Sequence, residues 1–88
     1  MIVRIDKSFE RDTSKIKDRT LLKKIADCIE QVQSAATLSD IRGLKRLTGY
    51  RTEHRIKMGD YRIGVLVKKE TVEFIRFLHR KEIYRFFP

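Results

Sequence analysis

The period of hydrophobic positions changes twice along the chain. Ile2, Val3 and Ile5 form a short apolar run that predicts a strand ending near Asp6. The stretch from Lys7 to Asp18 is polar apart from Phe9 and Ile16 and reads as a short helix or helix-like turn. Asp18 suits the cap of the next segment, because a short side-chain acceptor can satisfy the free N–H groups at a helix start. Beyond it, Leu22, Ile25, Ile29, Val32 and Ala36 recur at alternating spacings of three and four, which predicts one apolar stripe on an α-helix.

From Thr37 to Arg51 the pattern is irregular and a loop is expected, anchored by Leu38, Ile41, Leu44 and Leu47. Gly43, Gly49 and clustered Lys and Arg interrupt any regular period there. The period then becomes two. His54, Ile56 and Met58 alternate with Glu53, Arg55 and Lys57, and Gly59-Asp60 has the composition of a tight hairpin turn. Tyr61, Ile63, Val65 and Val67 alternate along the next strand, with Arg62 opposite. Lys68-Lys69-Glu70 turns the chain again, and a third strand covers Val72 to Leu78. The tail from His79 to Pro88 is basic and aromatic and compatible with a last helical turn.

These elements predict an α+β fold: an N-terminal strand, two helices, then a three-stranded antiparallel meander, with the helices packed on one sheet face. Eighty-eight residues make one domain, 1–88. The core must be thin, and the second face of so small a sheet is expected to stay at least partly open.

Composition adds a direction. Charged residues are 38% of the chain, and 21 Lys and Arg against 12 Asp and Glu give a net charge of +9. A field that strong on a small domain favours polyanionic partners. The basic residues are not gathered on one amphipathic helix, so a membrane surface is not the expected partner. The start of the chain lacks the apolar segment of a signal peptide, and no run approaches a membrane span. Cys28 is a lone cysteine on a helical pattern with no His or Asp arrangement beside it. It suits a reducing, cytoplasmic setting and a packing role.

Chemistry narrows further. His54, His79, Cys28 and scattered carboxylates show no metal-ligand spacing, and no phosphate-binding glycine loop is present, so neither metal nor cofactor is expected. What stands out is a set of cations at strand positions. Arg55 and Lys57 project from one face, Arg62 opens the partner strand, and Arg76 and Arg80 flank the end of the last strand, with Tyr84 four residues on. A solvated charged face is the plain alternative. Only Glu53 and Glu73 lie at nearby strand positions, however, and guanidinium groups without carboxylate partners bind phosphate, because their fork meets two oxygens at once.

The runs Leu44–Tyr50 (LKRLTGY), His54–Ile63 (HRIKMGDYRI) and Phe74–Arg85 (FIRFLHRKEIYR) resemble the RelE/ParE toxin superfamily in order and spacing over essentially the whole chain. The resemblance implies the toxin of a type II toxin–antitoxin module, of the kind linked to plasmid stabilisation. Such a toxin is neutralised by a cognate antitoxin, in a hetero-oligomer that can bind operator DNA. RelE-like members bind the ribosomal A site and cut mRNA there, which inhibits translation. The ParE branch inhibits DNA gyrase and is not a nuclease.

By the same resemblance, Arg62 corresponds to a phosphate-contacting arginine, and Arg80 to a late arginine that stabilises the transition state or protonates the leaving group. Tyr84 lies near a C-terminal tyrosine, though its gap from Arg80 is shorter than usual. Arg55 and Lys57 fall near a basic pair, and His79 stands where an acid or base could act. Arg76 and Arg85 would add phosphate contacts. Val65 stands where relatives often carry tyrosine. The implied reaction is metal-free endoribonuclease cleavage. The substrate's 2′-hydroxyl attacks phosphorus, leaving a 2′,3′-cyclic phosphate. Lys57 or Arg55 would assist the hydroxyl, Arg62 and Arg80 would hold the phosphorane, and His79 or Tyr84 would donate a proton or stack on a base.

Overall fold

The first strand, β1 (Ile2–Ile5), does not pair with its sequence neighbours but runs parallel to the last, β5 (Thr71–His79), in the computed structural model, which describes residues Met1–Pro88. Between them the chain forms α1 (Lys7–Ser14), α2 (Arg19–Ser34), a 3-10 turn (Leu38–Asp40), β2 (Leu44–Arg46), β3 (Glu53–Met58) and β4 (Tyr61–Lys68), and after β5 a short helix, α3 (Ile83–Phe86). The sheet therefore has five strands in the order β1-β5-β4-β3-β2, with β2 to β5 antiparallel. The expected three-stranded meander is its centre. The segment expected to be a loop supplies an additional edge strand, β2, too short to register as a period.

Both long helices start where the sequence provides an acceptor. Asp6 accepts the Ser8 N–H at 3.0 Å, and its hydrogen bonds from Ser8 hold its carboxyl below the usual range. Asp18 accepts from Thr20 at 2.9 Å and Leu21 at 3.2 Å. The buried stripe of α2 is shifted at both ends from the expected one. Leu21, not Leu22, packs on the core, and Ala35, not Ala36, is buried. The helix ends at Ser34, so Ala35 turns inward as an extended cap residue rather than following the helical period. Cys28 lies on the packed side, where burial pushes its thiol up to about 11.

The core lies between these helices and one sheet face. Phe9 of α1 meets Phe74 and Phe77 edge-on, at ring-centre distances of 5.4 and 6.3 Å. Two aromatic residues three apart on one strand cannot face the same way in a regular pleat. A bulge resolves this: Val65 pairs with Phe74 and Gly64 with Arg76, leaving Ile75 as an extra residue. The other sheet face is not bare. Ile83 is fully buried and Phe87 is 3% exposed, so the last segment folds back across part of that face. No helix is long and apolar enough to cross a membrane.

Candidate functional site

Strand register gathers cations on the face turned away from α1 and α2. Lys45, Arg55, Gly64 and Arg76 lie side by side across β2, β3, β4 and β5. Two residues further along each strand, roughly 7 Å away, Lys57, Arg62 and Leu78 form the next row. Arg80 follows, its backbone N–H donating to the Asp60 carbonyl at 2.8 Å. The opposite end of the face carries Glu53, Leu66, Glu73 and Arg4. There Thr52 donates to the Glu53 carboxylate and holds it below the usual range. The strand carboxylates of this face are thus confined to one end, where Arg4 accompanies them, and the other end carries cations.

How each cation is held separates them into two groups. Arg55 donates to the Gly43 carbonyl at 2.6 Å, and Arg62 to the carbonyls of Gly59 and Tyr61, each at 2.8 Å. Neutral acceptors orient a guanidinium without cancelling its charge, and each arginine keeps further N–H donors free. Lys57 is exposed and, like Arg80, has no carboxylate partner. Arg76, by contrast, is 2.7 Å from Asp12, and that hydrogen bond raises its already high pKa. It also lies over the Phe86 ring. Arg85 is 3.7 Å from Glu82. The sequence suggested that these arginines had no carboxylate partners; for Arg76 the partner is 64 residues away.

Beside the first row is a cleft of about 410 Å³. Lys45, Arg46, Leu47, Thr48 and Tyr50 make one wall, Arg55 part of the lining, and Tyr84, Phe87 and Pro88 the other wall. No carboxylate lines it. Tyr50 and Tyr84 are 45% and 61% exposed, so both rings are open to a flat partner. Cations along a groove with open aromatic rings match the general form of a single-strand nucleic-acid surface.

Comparison with known proteins bears on the same chain. A family model described as the ParE toxin of type II toxin–antitoxin systems, parDE, matches residues 3–84. Toxin RelE3 of Methanocaldococcus jannaschii is 38% identical, with all of both chains covered. The chain belongs to the RelE/ParE superfamily of toxins. The crystal structure of the RelB-RelE antitoxin–toxin complex from Methanococcus jannaschii matches at a TM-score of 0.79 and 35% identity, covering 97% of this chain and 99% of that one. The toxin–antitoxin complex RelBE2 from Mycobacterium tuberculosis shares the fold, at a TM-score of 0.71 and 24% identity over 90% of this chain and 96% of that one. Together they identify this chain as a RelE-family toxin of a type II toxin–antitoxin system.

Within this toxin, the residues singled out from sequence occupy three settings. Arg55 and Tyr84 line the cleft, Lys57 and Arg62 lie beyond it on the same sheet face, and Arg80 lies in the turn just past β5. Arg76 and Arg85 are engaged by carboxylates. His79 is set apart: it pairs with Tyr61 on the helix side of the sheet, its ring edge-on to Tyr61 at 5.7 Å, and Tyr61 stacks on core Phe77 at 4.9 Å. Its Nδ1 receives the Lys81 N–H at 3.1 Å, which leaves the proton of a neutral ring on Nε2. Sequence reasoning did not single out Lys45, Arg46 and Tyr50. The Lys-Arg pair ahead of Gly-Tyr was the available signal, but nothing local reveals that the tail comes to lie opposite it.

Proposed function

We propose that this toxin is a ribosome-dependent mRNA endoribonuclease, acting in the cytoplasm and inhibiting translation. The observation that carries the reading is a set of four cations without carboxylate partners, Arg55, Lys57 and Arg62 on the face that holds the Tyr50–Tyr84 cleft and Arg80 just past the end of β5. Two of them are oriented by neutral carbonyls, which reduces what ordering them on a phosphate would cost.

In this reading the 2′-oxygen of one ribose attacks the adjacent phosphorus while the bond to the 5′-oxygen breaks. The products are a 2′,3′-cyclic phosphate and a 5′-hydroxyl, and the proton lost by the first oxygen is balanced by the one gained by the second. A pentavalent phosphorane gathers negative charge, so fixed cations lower its energy more than that of the substrate. Arg62 and Arg80 serve that role, and Lys57 or Arg55 assists the attacking hydroxyl. A guanidinium is a poor base at neutral pH, so electrostatic stabilisation outweighs proton transfer. Tyr84, on the cleft wall, is better situated than His79 to stack on a base or approach the leaving oxygen. Lys45, Arg46 and Tyr50 extend the surface to flanking nucleotides.

The antitoxin-bound relatives support a cognate antitoxin here as well. An acidic segment laid on the cationic face would compete with RNA, and the resulting complex would be the species that binds operator DNA. Inhibition of gyrase has less support, because the full-length relatives above 30% identity are RelE proteins.

The test is mRNA cleavage on translating ribosomes, with growth arrest followed in parallel. Arg62→Ala and Arg80→Ala should each abolish both while circular dichroism stays unchanged. If both variants stay toxic, or if supercoiling is blocked without cleavage, the reading fails.

A further inference from the structure

Gly64 occupies the middle of the first cationic row, between Arg55 and Arg76, and is buried. Nothing in its backbone calls for glycine. Its φ is outside the left-handed region, and the extra residue of the neighbouring bulge is Ile75 on the partner strand. Space is what calls for it. A Cβ at this position would lie 2.5, 2.6 and 2.8 Å from three carbons of the Phe87 ring, closer than real contacts allow. The ring fills the volume that any other side chain would take.

Phe87 follows a helix too short to hold itself in place, since isolated helices need roughly 12–15 residues to be even marginally stable. α3 spans Ile83–Phe86 and is fixed by what flanks it. Ile83 and Phe87, four residues apart, are both buried, while Tyr84, Arg85 and Phe86 between them point outward. The segment is therefore fastened at two points, and Tyr84 is the residue next to one of them. Phe87 itself lines the cleft beside Tyr84.

We propose that Gly64 and Phe87 act together as positioning residues. The absent side chain of Gly64 is the notch, and the Phe87 ring is the key that sets Tyr84 and the far wall of the cleft at the distance RNA requires. This inference rests on the RNA-binding reading for its consequence, though not for the docking itself. Neither residue need touch the reacting phosphate. Without the notch the wall stands off the sheet, and the cationic row loses its aromatic counterpart.

The experiment uses the full chain with two readouts. Chymotrypsin accessibility at Tyr84 and Phe86 reports docking without RNA. Fluorescence anisotropy with a labelled 2′-O-methyl hexanucleotide, which cannot be cleaved through its 2′-oxygen, reports the cleft. Gly64→Ala should keep the wild-type circular dichroism, speed cutting of the segment at least tenfold and weaken oligonucleotide binding about tenfold, the scale of one lost base stack. Tyr84→Ala should cost the wild type a similar factor and cost Gly64→Ala almost nothing further, which a purely structural role for Gly64 would not produce. Gly64→Ala with Phe87→Leu should recover part of the protection by giving the added methyl room.

If Gly64→Ala disrupts the whole domain, Phe87→Ala removes the key without adding bulk and should show the same release of the segment. Unchanged protease protection in Phe87→Ala, or an undiminished contribution of Tyr84 in Gly64→Ala, overturns the proposal. Released segments with no RNA binding in any variant, wild type included, would sink the RNA reading and the role of the notch in it, while leaving the docking intact.

Discussion

Asp12 of α1 holds Arg76 of β5 through Oδ2, 2.7 Å from Nε, and the same oxygen accepts the Phe77 backbone N–H at 2.9 Å. The contact sits just beyond the point where β1 ends, since Ile5 pairs with Phe74 and no strand covers β5 further along that edge. The carboxylate stands in for the missing strand. The side chain of Asp12 is only 10% exposed, so its removal leaves both a guanidinium and an N–H without their partner. Asp12→Ala should lower unfolding stability by about 2 kcal/mol, or roughly 10 °C in Tm for a domain of this size. A loss below about 0.5 kcal/mol in urea denaturation would show that the contact is incidental.

Salt dependence separates working cations from neutralised ones. Each phosphate contact on single-stranded nucleic acid contributes about 0.7 to the slope of log affinity against log salt. Lys45→Ala and Arg55→Ala should each reduce that slope by about this amount. Arg85→Gln, whose guanidinium already faces Glu82, should change it much less. Equal slopes for all three variants would contradict the division.

Proton-transfer roles can be compared directly. Tyr84 lines the cleft, whereas the His79 ring lies against Tyr61 on the helix side of the sheet. Tyr84→Ala should therefore reduce cleavage by tenfold or more, and His79→Gln should leave the pH profile of cleavage in place. A lost limb of that profile in His79→Gln would return the histidine to the reaction.

Gly43 has a φ of +74°, and a Cβ there would lie 2.9 Å from the Lys57 carbonyl oxygen. Its own carbonyl accepts both the Lys57 N–H and the Arg55 guanidinium. Gly43→Ala should thus act twice, destabilising the fold by roughly 1–3 kcal/mol and weakening oligonucleotide binding through Arg55. Thermal melts and anisotropy on one preparation would check both, and a variant as stable and as tight as wild type would refute the strain.

The Cys28 thiol, raised to about 11 by burial, should be chemically quiet. At pH 8 its reaction with a disulfide reagent should be about 100-fold slower than in the urea-unfolded chain, as a thiolate fraction lowered by two decades requires. The folded state favours the neutral thiol, so its contribution to stability is complete below about pH 9 and is lost as pH rises towards 11. Cys28→Ala should flatten that part of the stability profile. Rapid labelling of the folded protein would count against the shift.

Local patterns carried much of the fold. Asp18 named its helix start, Ile25, Ile29 and Val32 named the face of α2, and the alternation from His54 to Val67 named a hairpin that the structure reproduces pair by pair. What escaped is non-local. The parallel pairing of β1 with β5 joins residues some 70 positions apart, and the bulge at Ile75 exists only because β4 has no matching residue. The site divides the same way. Arg55 and Lys57 could be assigned to one face from spacing alone. The attachment of Arg76 to Asp12 and the cleft between Tyr50 and Tyr84 depend on elements that meet only after folding.

The bulge at Ile75 lies next to the place where β5 exchanges a strand neighbour for a helix neighbour. The sheet therefore tapers. The end with Glu53 and Glu73 spans β3, β4, β5 and β1, while Lys57, Arg62 and Leu78 lie on three strands, β3, β4 and β5, with Gly43 just ahead of β2 accepting the Lys57 N–H. Backbone amides at the tapered end have fewer partners to break before they meet water, so hydrogen exchange there should proceed through small local openings, and at the woven end only through global unfolding. Under the proposed function, the end that keeps the shape and the end that meets RNA are different ends of one sheet.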